Sequence, residues 1–214
     1  MTALQATAGG GHTGRRDAPR SRLSEHDAAK RVVVAYGFWI FLISDIILFS
    51  ALFATYAVLT NSTAGGPSGA ELFDIRNVAI ETACLLTSSM FCGFAGIGAQ
   101  ASNDKLFYGG MIVTFALGAG FLGLELHEFA GLIAQGYGPT RSGFLSAFFA
   151  LIGCHGLHVT AGMLWLLTMM AQVLAKGYRA DILRRLLCFA LFWHTLDIIW
   201  VALFSLVYLV GVAR

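Results

Sequence analysis

An all-α bundle of five membrane-spanning helices is the fold class this sequence predicts, and three observations predict it. The chain is 57% hydrophobic and 12% charged, where a soluble domain carries about 25% charge. Its apolar residues gather into five runs, each long enough for a hydrocarbon core that needs about 20 helical residues. Those runs are continuous rather than alternating, so each satisfies its own backbone in lipid as a helix and none reads as a barrel strand.

The elements follow in order. Residues 1–28 are rich in Gly, Ala, Arg and His with no apolar periodicity, and are expected to form a disordered tail before a membrane domain over 29–214. His12 and His26 in that tail are expected to be solvated. The first apolar run starts near residue 32 and far exceeds the roughly 7–15 residues of a signal-peptide core, so it is expected to stay as a span. The spans are placed at 32–59, 78–99, 106–133, 144–175 and 186–212. The fourth is long for one crossing and is expected to tilt or to extend into water. Thr60–Asn77 and Ala134–Gly143 read as turn-rich loops, Gln100–Lys105 and Lys176–Arg185 as polar ones. Asn61-Ser62-Thr63 matches a glycosylation acceptor, a match short enough to arise by chance.

Charge placement sets the expected orientation. Arg15, Arg16, Arg20, Arg22, Lys30 and Arg31 precede the first span. Lys105 follows the second, and Lys176, Arg179, Arg184 and Arg185 follow the fourth. Arg76, Arg141 and Arg214 occupy the other side. The N-terminus is therefore expected in the cytoplasm and the C-terminus in the periplasm. The net charge of +2 carries no implication of nucleic acid. Cys84, Cys92, Cys154 and Cys188 lie inside apolar runs without CxxC spacing and are expected to be buried free thiols. Gly93, Gly96 and Gly98, and Gly118, Gly120 and Gly123, have the spacing that lets helices approach closely.

Polar residues inside the spans are the candidates for function. Asp45 is the only formal charge between Val32 and Leu59, and a carboxylate at that depth costs roughly 2.5–3.5 kcal/mol. It must be neutral, paired, or turned to protein or water. Glu81 is expected in the first turn of the second span, where the helix dipole favours it. Glu125 and Glu128 share a helix face and suit either a water-facing acidic patch or a pair sharing a proton. His155 and His158 share a face of the fourth span, and His194 and Asp197 a face of the fifth.

Three chemistries use such residues. A di-metal carboxylate bundle needs Glu-x-x-His on two helices; His-x-x-His and His-x-x-Asp do not supply it, and no His-Glu-x-x-His zinc motif is present. A bis-histidine haem needs two histidines facing each other. His158 lies roughly 20 Å from the outer end of its span and His194 roughly 12 Å from the inner end of its own, a poor match across a core of ~30 Å. Hydrogen-bonded pairs between helices are the third. Asp197, roughly 17 Å from the inner end, is near His158 in depth, so a His158–Asp197 bond is expected to lock the last two spans. Trp39, Trp165, Trp193 and Trp200 need a partner for the indole N–H or an interfacial depth.

Four segments resemble a known family. Tyr36-Gly37-Phe38-Trp39-Ile40-Phe41-Leu42-Ile43-Ser44-Asp45, Gly138-Pro139-Thr140-Arg141-Ser142-Gly143-Phe144-Leu145-Ser146-Ala147-Phe148-Phe149, His155-Gly156-Leu157-His158-Val159-Thr160-Ala161-Gly162 and Phe192-Trp193-His194-Thr195-Leu196-Asp197-Ile198-Ile199-Trp200 are similar, in order, to segments of haem–copper oxidase subunit III. The five-helix form found with bo-type ubiquinol oxidases is the nearest. The resemblance covers about residues 33–212. It implies a supporting subunit, without an active site or cofactor of its own, in a proton-pumping complex of the bacterial inner membrane that oxidises ubiquinol and reduces oxygen to water. It further implies haems and copper in subunit I, contact with subunit I, subunits II and IV in the same complex, and phospholipid bound in a cleft. Asp45 falls where seven-helix relatives carry a buried carbodiimide-reactive glutamate, and Glu128 at a carboxylate of the third-helix motif. His155, His158, His194 and Asp197 match polar positions of the last two helices. Lack of the two first helices favours a quinol over a cytochrome c donor, although five-helix relatives also serve cytochrome c oxidases and accompany nitric oxide reductases. A transporter using Asp45 and Glu128 as proton relays is the alternative from another class.

Overall fold

The computed structural model describes residues 18–66, 69–72 and 74–213. Its helices, in chain order, are α1 (Ala18–Leu59), α2 (Gly69–Leu72), α3 (Ile75–Gln100), α4 (Asp104–Ala134), α5 (Gly143–Lys176), α6 (Ala180–Leu203), a π-helical segment Phe204–Leu209, and α7 (Val210–Ala213). Five stretches are long and apolar enough to cross a membrane: Val32–Leu59, Ile75–Gln100, Asp104–Ala134, Gly143–Lys176 and Ala180–Val212. Each contains the span expected from hydropathy. Among the described residues there is no strand.

Two compact units divide the chain, Met1–Phe38 and Trp39–Arg214. In the first, α1 begins at Ala18, while His12 and the rest of residues 1–17 lie outside the described residues. Everything below belongs to the second unit.

Capping explains where three of the spans begin. Asp74 accepts from Arg76 N at 3.0 Å, Asn103 from Leu106 N at 3.3 Å and Ser142 from Leu145 N at 3.2 Å, each satisfying a donor that a helix start leaves free. The α3–α4 corner is equally local. Asn103 N donates to Gly98 O at 2.8 Å and Ser102 N to Ala99 O at 3.3 Å, with Ser102 at φ 52. That is the reciprocal C-terminal motif, and its last residue is also the cap of α4. Gly136, at φ 81, closes α4 in the same way, with Tyr137 N donating to Leu132 O at 2.9 Å. The α5–α6 link shrinks to Gly177–Arg179, because Arg184 and Arg185 already lie within α6. The polar loop expected over Lys176–Arg185 is therefore mostly helix.

Helices α3 and α4 pack most extensively, followed by α5 with α6, α3 with α6 and α4 with α5. Glycine makes the closest of these approaches possible, though only partly where spacing suggested. A Cβ on Gly98 would sit 2.7 Å from Phe107 N, and one on Gly110 would sit 2.8 Å from Ala95 Cβ and Phe91 O. Gly93, Gly96, Gly120 and Gly123 face open space. Gly118 of α4 and Gly162 of α5 instead border the Trp193 indole of α6, where their Cβ atoms would meet ring carbons at 3.2 and 3.0 Å. Trp193 Nε1 donates to Ser88 Oγ on α3 at 3.1 Å. One side chain thus touches all three neighbouring helices.

Helix α1 from Trp39 onward behaves differently. Its buried apolar side chains are Leu42, Phe49 and Tyr56, one every seven residues, so a single narrow stripe faces the bundle. Most of the remainder of its surface is apolar and exposed, including Ile40, Ile43, Ile47 and Val58. A cavity of about 370 Å³ lies between Phe53, Tyr56, Ala57 and Thr60 of α1 and Leu206, Val210 and Gly211 near the C-terminus.

Two outcomes test this packing. Gly162→Val should cost about 1–3 kcal/mol by overpacking against Trp193, while Gly120→Val, which meets nothing within 4 Å, should be near neutral in thermal unfolding of the detergent-solubilised protein. At the α4 start, Tyr178 donates to Asp104 Oδ1 at 2.7 Å. Burial, then this bond and the Asp104 charge, hold the Tyr178 phenol above its usual range. The folded state then binds that proton more tightly, so the contribution is complete below the ordinary tyrosine pKa of about 10 and is lost as pH rises through the raised value. The unfolding temperature should fall more steeply above about pH 10 for the native chain than for Tyr178→Phe.

Candidate functional site

The polar residues inside the spans fall into three neighbourhoods. In the first, His158 Nε2 lies 3.9 Å from Asp45 Oδ1, so α5 meets α1 through the one acidic residue of that span. His158 Nδ1 lies 2.7 Å from the Cys154 carbonyl. A carbonyl only accepts, so Nδ1 carries a proton and Nε2 is the nitrogen turned to Asp45. Phe49, one helical turn on from Asp45, sets its ring edge against His158 at 5.2 Å and His155 at 6.2 Å. Ser44 and Ser50, which flank Asp45 in sequence, bond back to Ile40 O and Ile46 O of their own helix and do not serve it. The expected His158–Asp197 bond does not form: His158 pairs with Asp45 across a different interface. Similar depth is a weak constraint, because every helix passes through every depth.

The second neighbourhood is the interior of α3, α4, α5 and α6. Helix α3 starts at Ile75, so Glu81 sits in its second turn and not in the first, and it faces the bundle at 1% exposure. Glu125 is 3% exposed, and its Oε1 lies 3.1 Å from where a Cβ on Gly156 of α5 would stand. Glu128, a turn further on, is half-buried. The three carboxylates interact through space, and all three sense Tyr208, which the π-helical segment turns inward. The pair Glu125 and Glu128 is therefore part of a buried cluster and not a water-facing patch. His155 is fully buried among aromatic rings. Trp200 lies 5.1 Å away at 31°, and Phe121 is edge-on at 5.8 Å. Trp200 Nε1 is satisfied by Thr82 Oγ1 at 3.0 Å.

The third is the seam of α3 and α6. His194 Nδ1 bonds Ser89 Oγ of α3 at 2.5 Å, while His158 bonds the Cys154 carbonyl on its own helix and lies by Asp45 of α1. Asp197 is 6% exposed, and neither of its oxygens has a hydrogen-bond partner among the described residues. The Ser89 hydroxyl and Cys92 thiol lie within its electrostatic reach. Among the described residues, no three of His, Cys, Asp and Glu are grouped to hold a metal ion. The four cysteines are free.

Sequence reasoning missed the hydroxyl groups that complete these sites. Thr82, Ser88, Ser89 and Thr114 all belong to α3 and α4. Thr114 Oγ1 bonds Gly110 O at 2.8 Å and Ser88 O at 3.2 Å, while Ser88 Oγ returns to Leu85 O at 2.7 Å. The available signal on the second span was the seven-residue spacing of Glu81 with Ser88 and of Thr82 with Ser89. Trp200→Phe and Thr82→Val should each lower stability by about 1 kcal/mol, and the double variant by little more than either, because both remove the same bond; thermal unfolding of the three variants measures this.

Comparison with known proteins places the chain. The family model for cytochrome c oxidase subunit III matches residues 17–212. Cytochrome bo(3) ubiquinol oxidase subunit 3 of Pseudomonas aeruginosa is 50% identical over 186 residues, 87% of this chain and 88% of the relative. Quinol oxidase subunit 3 of Bacillus subtilis is 42% identical over 175 residues, 82% of this chain and 86% of the relative. Cytochrome c oxidase subunit 3 of Bacillus sp. PS3 is 42% identical over 178 residues, 82% of this chain and 84% of the relative. A five-span helical bundle whose sequence matches over nearly its whole length belongs to the haem–copper oxidase subunit III family.

Proposed function

We propose that this chain is the non-catalytic subunit III of a proton-pumping terminal quinol oxidase in a bacterial inner membrane, with its N-terminus cytoplasmic and its C-terminus periplasmic. The observation that carries this reading is the 50% identity to a ubiquinol oxidase subunit over most of both chains. The haems and copper belong to subunit I, against which this chain packs, with subunits II and IV in the same complex and ubiquinol as the complex's substrate.

The geometry suits a supporting role. Three polar bonds join helices of the same chain: Trp193–Ser88, Trp200–Thr82 and His194–Ser89. Helix α1 touches the bundle along one stripe and leaves a broad apolar face. Such a face needs covering by a neighbouring subunit or by lipid. The apolar cavity beside Phe53 and Leu206 has room for part of an acyl chain, which supports bound phospholipid. In this setting Asp45 and His158 join α1 to the bundle, and they modulate chemistry carried by the neighbouring chain.

A cytochrome c donor is the second reading, favoured by the Bacillus sp. PS3 relative. Oxygen uptake by the purified complex with reduced ubiquinol, and separately with reduced cytochrome c, discriminates the two.

Removing this chain from the complex should leave initial quinol oxidation intact and shorten the number of turnovers before inactivation, with durability restored on adding the chain back. Ion flux by the purified chain alone in liposomes would overturn this reading in favour of a transporter. Asp45→Asn should still assemble, because the amide keeps the size of the side chain and can donate to His158 Nε2, and should alter durability or proton uptake modestly. Complete loss of quinol oxidation in an assembled Asp45→Asn complex would contradict that role.

A further inference from the structure

We propose that the interior between α3, α4, α5 and α6 is a hydration site, in which bound water joins His155 to Glu125, and Glu125 to Glu81 and Glu128. The inference rests on the bundle itself and not on the oxidase reading.

His155 is the starting point. It is fully buried, and neither ring nitrogen has a hydrogen-bond partner among the described residues. A neutral imidazole carries one donor and one acceptor. Its ring neighbours, Phe49, Phe121 and Trp200, offer neither; the Trp200 N–H is already given to Thr82. Glu125 is a second and independent case, on another helix. It is 3% exposed, and its Oε2 has no partner. Its carboxylate lies over the backbone of Gly156, the residue next to His155, where the missing side chain leaves space. Glu81 Oε2 and Glu128 Oε1 are in the same condition, and both carboxylates interact with Glu125.

Each buried polar atom left without a partner costs about 1–3 kcal/mol, so four side chains in one interior would together destabilise the bundle severely. Three occupants could relieve this. No direct hydrogen bond reaches Glu81 Oε2, Glu125 Oε2, Glu128 Oε1 or either His155 nitrogen among the described residues. A metal ion would need at least three grouped ligands, and no such group exists among the described residues. Water is small, donates and accepts, and serves an imidazole and a carboxylate in either protonation state. Buried waters typically make about 3 hydrogen bonds to groups of this kind.

The test uses the membrane-extracted complex that contains the chain, imaged at a resolution that shows waters. The expected result is density at about 2.7–3.2 Å from a His155 ring nitrogen and from the Glu125 carboxylate. A direct His155–Glu125 bond with no intervening density would overturn the proposal. So would a peak with four or more oxygen ligands at about 2.0–2.6 Å, which is a cation. The energetic counterpart compares His155→Phe, Glu125→Leu and the double variant by the half-life of the folded chain at elevated temperature. With bridging water, each single change shortens it about tenfold, and the double change does little further harm. A His155→Phe variant as durable as the native chain, or strictly additive effects, would show that His155 has no polar partner. The density measurement needs only the native protein, so it stands if a variant fails to assemble.

Discussion

Trp193 is the side chain on which the bundle depends. Its indole lies against two helices at positions where neither has a side chain, Gly118 and Gly162, and bonds a third through Ser88. In lipid, helices gain little from hiding apolar surface, since the surroundings are equally apolar. Association must come from close packing and from polar bonds that have nowhere else to go. Trp193 supplies both at one point. Ser88 is itself tied to Thr114, so the polar bond continues to α4. The same device recurs two turns on, where Trp200 bonds Thr82, lies against the His155 ring and meets Phe121 edge to face.

Against this tight core, α1 is held loosely. Leu42, Phe49 and Tyr56 make its apolar contact, and the Asp45–His158 approach makes its polar one. A helix attached by one stripe keeps two broad apolar flanks, and in a multi-subunit membrane complex such flanks are where neighbours and lipids fit. The carboxylate that is costly in a lone helix is tolerable here because α5 presents a histidine to it. Asp45 is therefore first a fastening and only then a candidate for proton chemistry, which fits a chain that supports a catalytic neighbour.

Much of this fold was legible from composition alone. Five continuous apolar runs leave lipid-spanning helices as the only way to satisfy the backbone, and the caps Asp74, Asn103 and Ser142 mark starts that local hydrogen bonding dictates. The candidate residues were also visible, because charge and imidazole stand out in an apolar run. Their partners were not. His158 was matched to Asp197 by depth, yet it meets Asp45. Glu81 was assigned to a helix terminus, yet it lies in a carboxylate cluster with Glu125 and Glu128. Four of the six glycines picked for spacing face open space, while Gly110, Gly156 and Gly162 make close approaches.

The physical reason is the difference between local and lateral information. Span length, helix caps and the cost of burying a charge are properties of a segment and its solvent, so the sequence by itself determined that this protein is a five-helix membrane bundle with polar groups that must be satisfied. Which helix faces which, and at what rotation, depends on side chains packing across interfaces between distant segments. Only the tertiary structure decided that Asp45 goes to His158, that three carboxylates share one interior, and that two glycines make room for Trp193.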